Sequence, residues 1–449
     1  MTDVKYLDGN LFKKLVFCGA SNLDKHRITV NNLNVFPVPD GDTGDNMMMT
    51  IGYGTKEISD LDTDNISLMS KKLSRGMLFG ARGNSGVILS QIFRGIADGL
   101  KDVEHACAMD LANAFISGYE KAYKMVVNPV EGTILTVARN ASDKTKSCIK
   151  DNTSVNEFFS IYLKYANETL KDTINMLDVL KKANVIDSGG AGLVYIIEGM
   201  LKYFDDSIDV DNVIFDKMNK TDSIAKCNTE LKEYATISVC NGDGLKEIFN
   251  EMGTDYIIDG GQTMNPSTED FIKAFDIVNA KNIVVLPNNS NIILAAMQAK
   301  DIYDKSNIII IPSKTIAEGL SAISMMNYDD PDFIIEMEEA IKNVITGEVT
   351  YSVRDTSIDG FDIKKNDFMG IVGKKIVSVT NDKYDCLKEL VNYVVNENNK
   401  EVVNIICGKD IEENLINNTI EEMNESIKNI DISSINGNQD VYSFIVSFE

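Results

Sequence analysis

The 449-residue chain has no tryptophan and only two histidines, His26 and His105. Each histidine sits in a polar stretch and reads as a surface residue, so a histidine-driven mechanism is set aside. Its seven cysteines are scattered and odd in number, with no CxxC pair. That pattern excludes a disulfide framework and a zinc ribbon and points to reduced thiols. No apolar run reaches transmembrane length and no basic, apolar leader opens the chain, so a soluble cytoplasmic protein is expected. Positive charge is scarce: 44 Lys and Arg stand against 68 Asp and Glu, a formal net charge of −24. Such a surface repels nucleic acid and anionic membrane, and neither is expected as a partner. An anionic substrate such as a nucleotide then needs a local device, either a metal ion or helix N-termini.

What is present falls into two halves of different pattern. Residues 1–205 carry apolar residues at three- and four-residue spacing, as in LFKKLVFCGASNL, GVILSQIFRGIADGL and VNEFFSIYLKYANETL. This half is expected to be all-α, about eight helices in a bundle. Residues 206–233 are rich in Asp, Asn and Lys and read as a linker. From 234 to 449, short β-rich runs alternate with helices, as in NIVVLP before NNSNIILAAMQAKDIY. That order predicts an α/β domain with a parallel sheet, whose ligand edge lies after the strands. The tail adds further strands and a helix near 411–428, a second and smaller α/β lobe.

Four stretches of the first half carry candidate chemistry. In PDGDTGDN, Asp40 and Asp42 flank a glycine just ahead of a helix expected to begin near Thr43 or Gly44. Hard carboxylate oxygens beside a helix N-terminus suit Mg²⁺ next to a phosphate; the plainer reading is a polar turn with an N-cap. In GARGNSGVILSQ, glycines at three-residue spacing precede an apolar helix that Asn84 or Ser85 can cap. Arg82 there can pair with phosphate, and the alternative is a tight helix–helix loop. Gly132 and Thr133 open a third helix, and Asp187 and Ser188 a fourth, for both of which ordinary capping suffices. Four polar, glycine-bearing helix starts gathered at one end of a bundle would hold a metal-bound polyphosphate. There is no P-loop, because GxxxxGK[ST] is absent.

Together NVFPVPDGDTGDNM, GARGNSGVILSQIFRG, NPVEGTILTVAR and DSGGAGLVYIIEG resemble the DhaL-like domain of dihydroxyacetone kinases. With YIIDGGQTMNPSTEDF, NIVVLPNNSNI, VRDTSIDGF and KKNDFMGI, nearly the whole chain is similar to the ATP-binding component of bacterial fatty acid kinase. The resemblance implies an eight-helix barrel that binds ATP and Mg²⁺, followed by a DegV-like α/β domain. It implies Asp40 and Asp42 as catalytic metal ligands, with Asn34 at the nearest match to a third, earlier aspartate. Asp45 lies outside that set. It further implies Thr43, Gly44, Asn46, Ser85, Gly86 and Thr133 at phosphate-contacting positions, beside which Arg82 and Gly132 are also expected to bind ATP, and Asp187 and Gly189 near the nucleoside. The acceptor it implies is a fatty acid carboxylate delivered by a separate DegV-type fatty-acid-binding protein, with a homodimer as one arrangement open to the chain. The central domain usual in that family is expected to be missing, since about thirty residues join the halves. The rival readings are a kinase of a small hydroxyl compound and a nucleotide-binding regulatory module without transfer.

Overall fold

Asp8 starts the first helix of the chain, its carboxylate accepting the Leu11 N–H at 2.7 Å. From there α1 (Gly9–Lys25) buries Phe12, Leu15, Val16 and Leu23, the three- and four-residue stripe of an amphipathic helix. The same logic builds α3 (Thr43–Ile58), α4 (Ile66–Phe79), α5 (Gly83–Gly99), α6 (Ala108–Met125), α7 (Ile134–Cys148), α8 (Val155–Met176) and α10 (Ser188–Lys202). Short α2 (Arg27–Leu33) and α9 (Asp178–Ala183) lie between them. Among the described residues this all-α bundle therefore has eight long helices. Phe115 of α6 meets Phe158, Phe159 and Tyr162 of α8 with ring centroids 5.4, 6.2 and 4.8 Å apart. Small residues bring α5 and α6 into backbone contact: a Cβ on Gly95 would lie 2.2 Å from the Ser117 carbonyl oxygen.

This computed structural model describes residues 3–34, 41–205, 231–262, 264–353, 355–358, 360–398, 400–428 and 430–449. The chain divides into two compact units, 1–224 with 267–269, and 225–266 with 270–449. The expected linker lies outside the described residues up to position 230. Its last residues, 232 and 233, instead open the first strand of the second unit.

In the second unit, β1 (Lys232–Cys240), β2 (Tyr256–Asp259), β3 (Ala280–Leu286) and β4 (Asn307–Ile310) form an all-parallel sheet in the order β2-β1-β3-β4. Its helices are α11 (Asp243–Glu251), α12 (Thr268–Val278), α13 (Ile293–Ile302), α14 (Ile316–Ser324) and α15 (Phe333–Asn343). A second, mixed sheet follows. It orders β11 (Asp431–Asn436), β10 (Val402–Cys407), β12 (Phe444–Phe448), β5 (Ile345–Tyr351), β8 (Phe368–Val372) and β9 (Lys375–Thr380), with only β10 and β11 parallel. A hairpin of β6 (Thr356–Ile358) and β7 (Phe361–Ile363) stands apart. Leu387 and Leu390 of α16 (Lys383–Asn398) pack with Val349, Phe444 and Phe448, and Met423 of α17 (Glu413–Ser426) joins that core.

Candidate functional site

The helices of the first unit differ in how they begin. Asp8, Asn65, Ser154 and Asp187 each cap their helix with their own side chain, at α1, α4, α8 and α10, and Cys107 with Asp110 forms a capping box at α6. At α3, α5 and α7 the N-cap residues Asp42, Arg82 and Thr133 make no such bond. The first N–H groups of a helix have no intrahelical partner, so an unfilled start presents donors and positive potential to an anion.

The starts of α3 and α7 each adjoin that of α10, and α5 packs against α3. The Ser188 hydroxyl lies 3.3 Å from that of Thr43, joining α10 to α3. Asp187 joins α10 to α7, because its carboxylate accepts the N–H of Gly190 at 2.6 Å and also that of Ile134. Burial pushes this carboxyl up to about 6, held down in part by those two N–H groups. A Cβ on Gly86 would meet the Thr50 hydroxyl at 2.3 Å, so α5 crosses α3 at contact distance, and the Arg82 N–H reaches that same hydroxyl at 3.4 Å. Two glycines shape the approaches. Gly83 and Gly132 have φ of +56° and +85°, a region that side chains disfavour, at the entries to α5 and α7.

The residues expected from the sequence fall as follows. Asp40 lies outside the described residues. Asp42 is half-buried at the head of α3, and Asn34 ends α2 with its N–H on the Asn31 carbonyl. Thr43, Asn46 and Gly86 are buried beside the helix starts, and Ser85 sits half-buried in the first turn of α5. The helix begins at Gly83, so neither Asn84 nor Ser85 is its N-cap. Thr133 and Asp187 are N-caps, and Gly189 packs on Ile134, to which its Cβ would lie 3.3 Å away. Gly44 is engaged elsewhere: its N–H donates to Asn31 Oδ1 at 2.7 Å, and a Cβ there would strike the Arg27 carbonyl oxygen at 2.3 Å. Asn31 also receives the Asp45 N–H at 3.2 Å and donates to the Asp45 carboxylate at 2.6 Å, while Arg27 pairs with that carboxylate. Asp45 is thus tied to α2. His26 stacks on Tyr195 at 4.1 Å between centroids, and His105 is exposed. Sequence reasoning missed Asn31, whose partners lie thirteen and fourteen positions away.

Among the described residues no cluster of three His, Cys, Asp or Glu side chains could hold a metal. Asp42 makes no side-chain cap bond to its own helix.

A second concavity lies in the α/β unit. Asn241, Gly260, Asn288, Thr315, Glu348 and Tyr442 are among those lining a cleft of about 50 Å³. It sits beyond the carboxyl ends of β1, β2 and β3, where the strand order reverses. Burial pushes Glu348 up to about 7, against a hydrogen bond from Tyr442 that lowers it.

The FakA-like C-terminal family of fatty acid kinase matches residues 235–449, and the DAK2 domain matches 37–202. Protein YloV of Bacillus subtilis (strain 168) is 33% identical over 553 residues, covering 99% of this chain and 100% of that protein. The chain belongs to the YloV family. An uncharacterized family member of Staphylococcus aureus (strain USA300) is likewise 33% identical over 549 residues, with 99% and 100% coverage. Both alignments run longer than the 449 residues here, so these relatives carry a stretch without counterpart in this chain. The two domain matches support a kinase-like nucleotide-binding module. Among solved structures, the chain is similar to the dihydroxyacetone kinase of C. freundii in complex with AMP-PNP and Mg²⁺: 17% identity, TM-score 0.34, 45% of this chain and 35% of that one. DegV, a fatty acid binding protein from Bacillus subtilis, gives 12% identity, TM-score 0.36, 48% and 99%. Neither likeness is close enough to transfer a residue or an activity. No helix among the described residues is long and apolar enough to cross a membrane.

Proposed function

We propose that this chain is an ATP-dependent phosphotransferase whose helical unit binds Mg·ATP at the starts of α3, α5, α7 and α10. One observation carries the reading. The starts of α3, α7 and α10 come together with α5 packed on α3, and the N-cap residues of α3, α5 and α7 do not fill their own first turns. Asn31 fills the start of α3 and Asp187 takes the Ile134 N–H, so α5 and the next N–H groups of α7 supply the main phosphate donors, with Ser85 and Thr133 beside them. Arg82, Thr43, Asn46, Gly86 and Gly132 shape the same end, and Gly189 with Asp187 closes it toward the nucleoside. Asp40 and Asp42, with Asn34 nearby, would hold Mg²⁺, which neutralises phosphate charge when bound.

The acceptor that fits the family is a fatty acid carboxylate presented by a separate DegV-type fatty-acid-binding protein. A carboxylate oxygen attacks the γ-phosphorus, the bond to the ADP oxygen breaks, and acyl phosphate and ADP result. A carboxylate needs no deprotonation, which suits a site without histidine. The test is labelled-phosphate transfer from ATP to fatty acid loaded on the organism's DegV-type proteins, with hydroxylamine trapping of the acyl phosphate. Transfer to a small hydroxyl compound in place of the fatty acid would move the reading to that class of kinase.

A further inference from the structure

The segment leading into α7 is fastened by one carboxylate. Glu131 accepts four hydrogen bonds: from Arg139 Nη1 and Nη2 at 2.7 and 2.8 Å, from the Thr136 hydroxyl at 2.8 Å and from the Tyr123 phenol at 3.1 Å. The Arg139 guanidinium also lies over the Tyr123 ring, 5.5 Å from its centroid. Thr136 passes the restraint on, since its hydroxyl accepts the Gly132 N–H at 2.8 Å. The Thr133 hydroxyl closes the turn onto the Val130 carbonyl at 2.9 Å. The buckle thus joins α6, the 126–133 loop and the first turn of α7.

Its location decides what it is for. The Glu131 side chain is 51% exposed and that of Arg139 34%. An ion pair this exposed adds little to stability. What four convergent donors on one carboxylate do provide is a fixed geometry. Arg139 hydrogen bonding is the leading cause that holds the Glu131 carboxyl below the usual glutamate range. The backbone it fixes, Gly132 to Thr133, has φ of +85° at Gly132, a conformation that glycine adopts freely, and ends in an N-cap whose own side chain does not cap the helix.

We infer that Glu131, bracketed by Arg139, Thr136 and Tyr123, is a positioning residue that sets the Gly132–Thr133 turn so that the α7 N–H groups meet the nucleotide phosphates. This rests on the proposed Mg·ATP site. Preorganised donors cost no ordering when the ligand arrives, so loosening the turn weakens binding without unfolding the helix.

The experiment compares full-length wild type with Glu131→Ala and Glu131→Gln by calorimetry with Mg·ATP, hydrogen exchange and urea unfolding. Glu131→Ala is expected to lower Mg·ATP affinity about tenfold and speed exchange at 132–136, with the urea midpoint close to wild type. Glu131→Gln keeps the size but turns an amide toward the guanidinium, and should fall between. Unchanged affinity in both variants, with wild type binding, overturns the inference alone. So does an affinity loss that tracks a fall in the urea midpoint across both variants. A wild-type chain that binds no Mg·ATP removes the proposed site and this role with it, while faster exchange at 132–136 in Glu131→Ala would still register the buckle.

Discussion

Replacing Asn31 by alanine removes a side chain that serves the start of α3 from another helix. Three hydrogen bonds go: two N–H groups, of Gly44 and Asp45, lose their acceptor, and the Asp45 carboxylate loses a donor at 2.6 Å. Loss of an N-cap acceptor costs about 1 kcal/mol. The bond to a charged carboxylate adds about 1 kcal/mol, discounted because Arg27 remains as its partner and Asp45 is partly exposed. The sum is about 2 kcal/mol, a fall of roughly 5 °C in the melting temperature of a unit this size. With no tryptophan in the chain, far-ultraviolet circular dichroism is the natural probe. Asp45→Asn serves as control, since it spares both N–H bonds and should cost under about 1 kcal/mol. Asn31→Ala should also weaken Mg·ATP binding more than the control, because the turn carrying Asp42 and Thr43 is no longer held to α2. An Asn31→Ala protein within about 0.5 kcal/mol of wild type, the scatter of ordinary surface changes, would refute this reasoning.

Other substitutions probe other links. Gly95→Ala places a methyl 2.2 Å from the Ser117 carbonyl and 2.6 Å from Gly118 Cα. Backbone atoms cannot yield as a side-chain tip does, so the α5–α6 contact should open and cost about 2 kcal/mol in urea unfolding, despite alanine's better helix propensity. Glu348, raised from 4.5 to about 7, favours the folded state most below pH 4.5, and that advantage is lost as pH rises through 7. Glu348→Gln should therefore be the more stable protein at pH 8, by up to about 3 kcal/mol, with the difference fading toward pH 4.5; equal stabilities at pH 8 would remove the burial argument. A fragment of residues 1–205 should bind Mg·ATP alone, because the helical unit closes a core of its own; a fragment that aggregates would show that it does not.

The long helices were legible because their stripes are broad. LFKKLVFCGASNL buries positions 12, 15, 16 and 23 of α1 whichever neighbours it has. The parallel strands were equally plain, since a sheet covered on both faces reads as an apolar run such as NIVVLP. Helix starts were harder. α5 begins at Gly83 because a glycine tolerates φ of +56°, which moves Ser85 from a cap into the first turn. Which N-termini stay open depends on side chains distant in sequence, and Asn31 reaches α3 from another helix. Glu131 stands within NPVEGTILTVAR, yet its role follows from Tyr123 and Arg139, eight positions to either side. Several elements went unread, α16 and β11 among them, for different reasons. The helix α16 carries an ordinary, legible stripe at Leu387, Leu390, Val391 and Val394, whereas the strand β11 reads DISSIN, too polar to announce itself.

The central claim is that Asp42 and the open helix starts make one Mg·ATP site. Isothermal calorimetry of wild type and Asp42→Asn, each with ATP in Mg²⁺ and in EDTA, tests it most directly. The account predicts that wild type binds ATP far better with Mg²⁺, and that Asp42→Asn loses most of this metal dependence while keeping the helical circular dichroism of wild type. Equal ATP affinity in Mg²⁺ and EDTA for wild type, or full metal dependence in the variant, would contradict it.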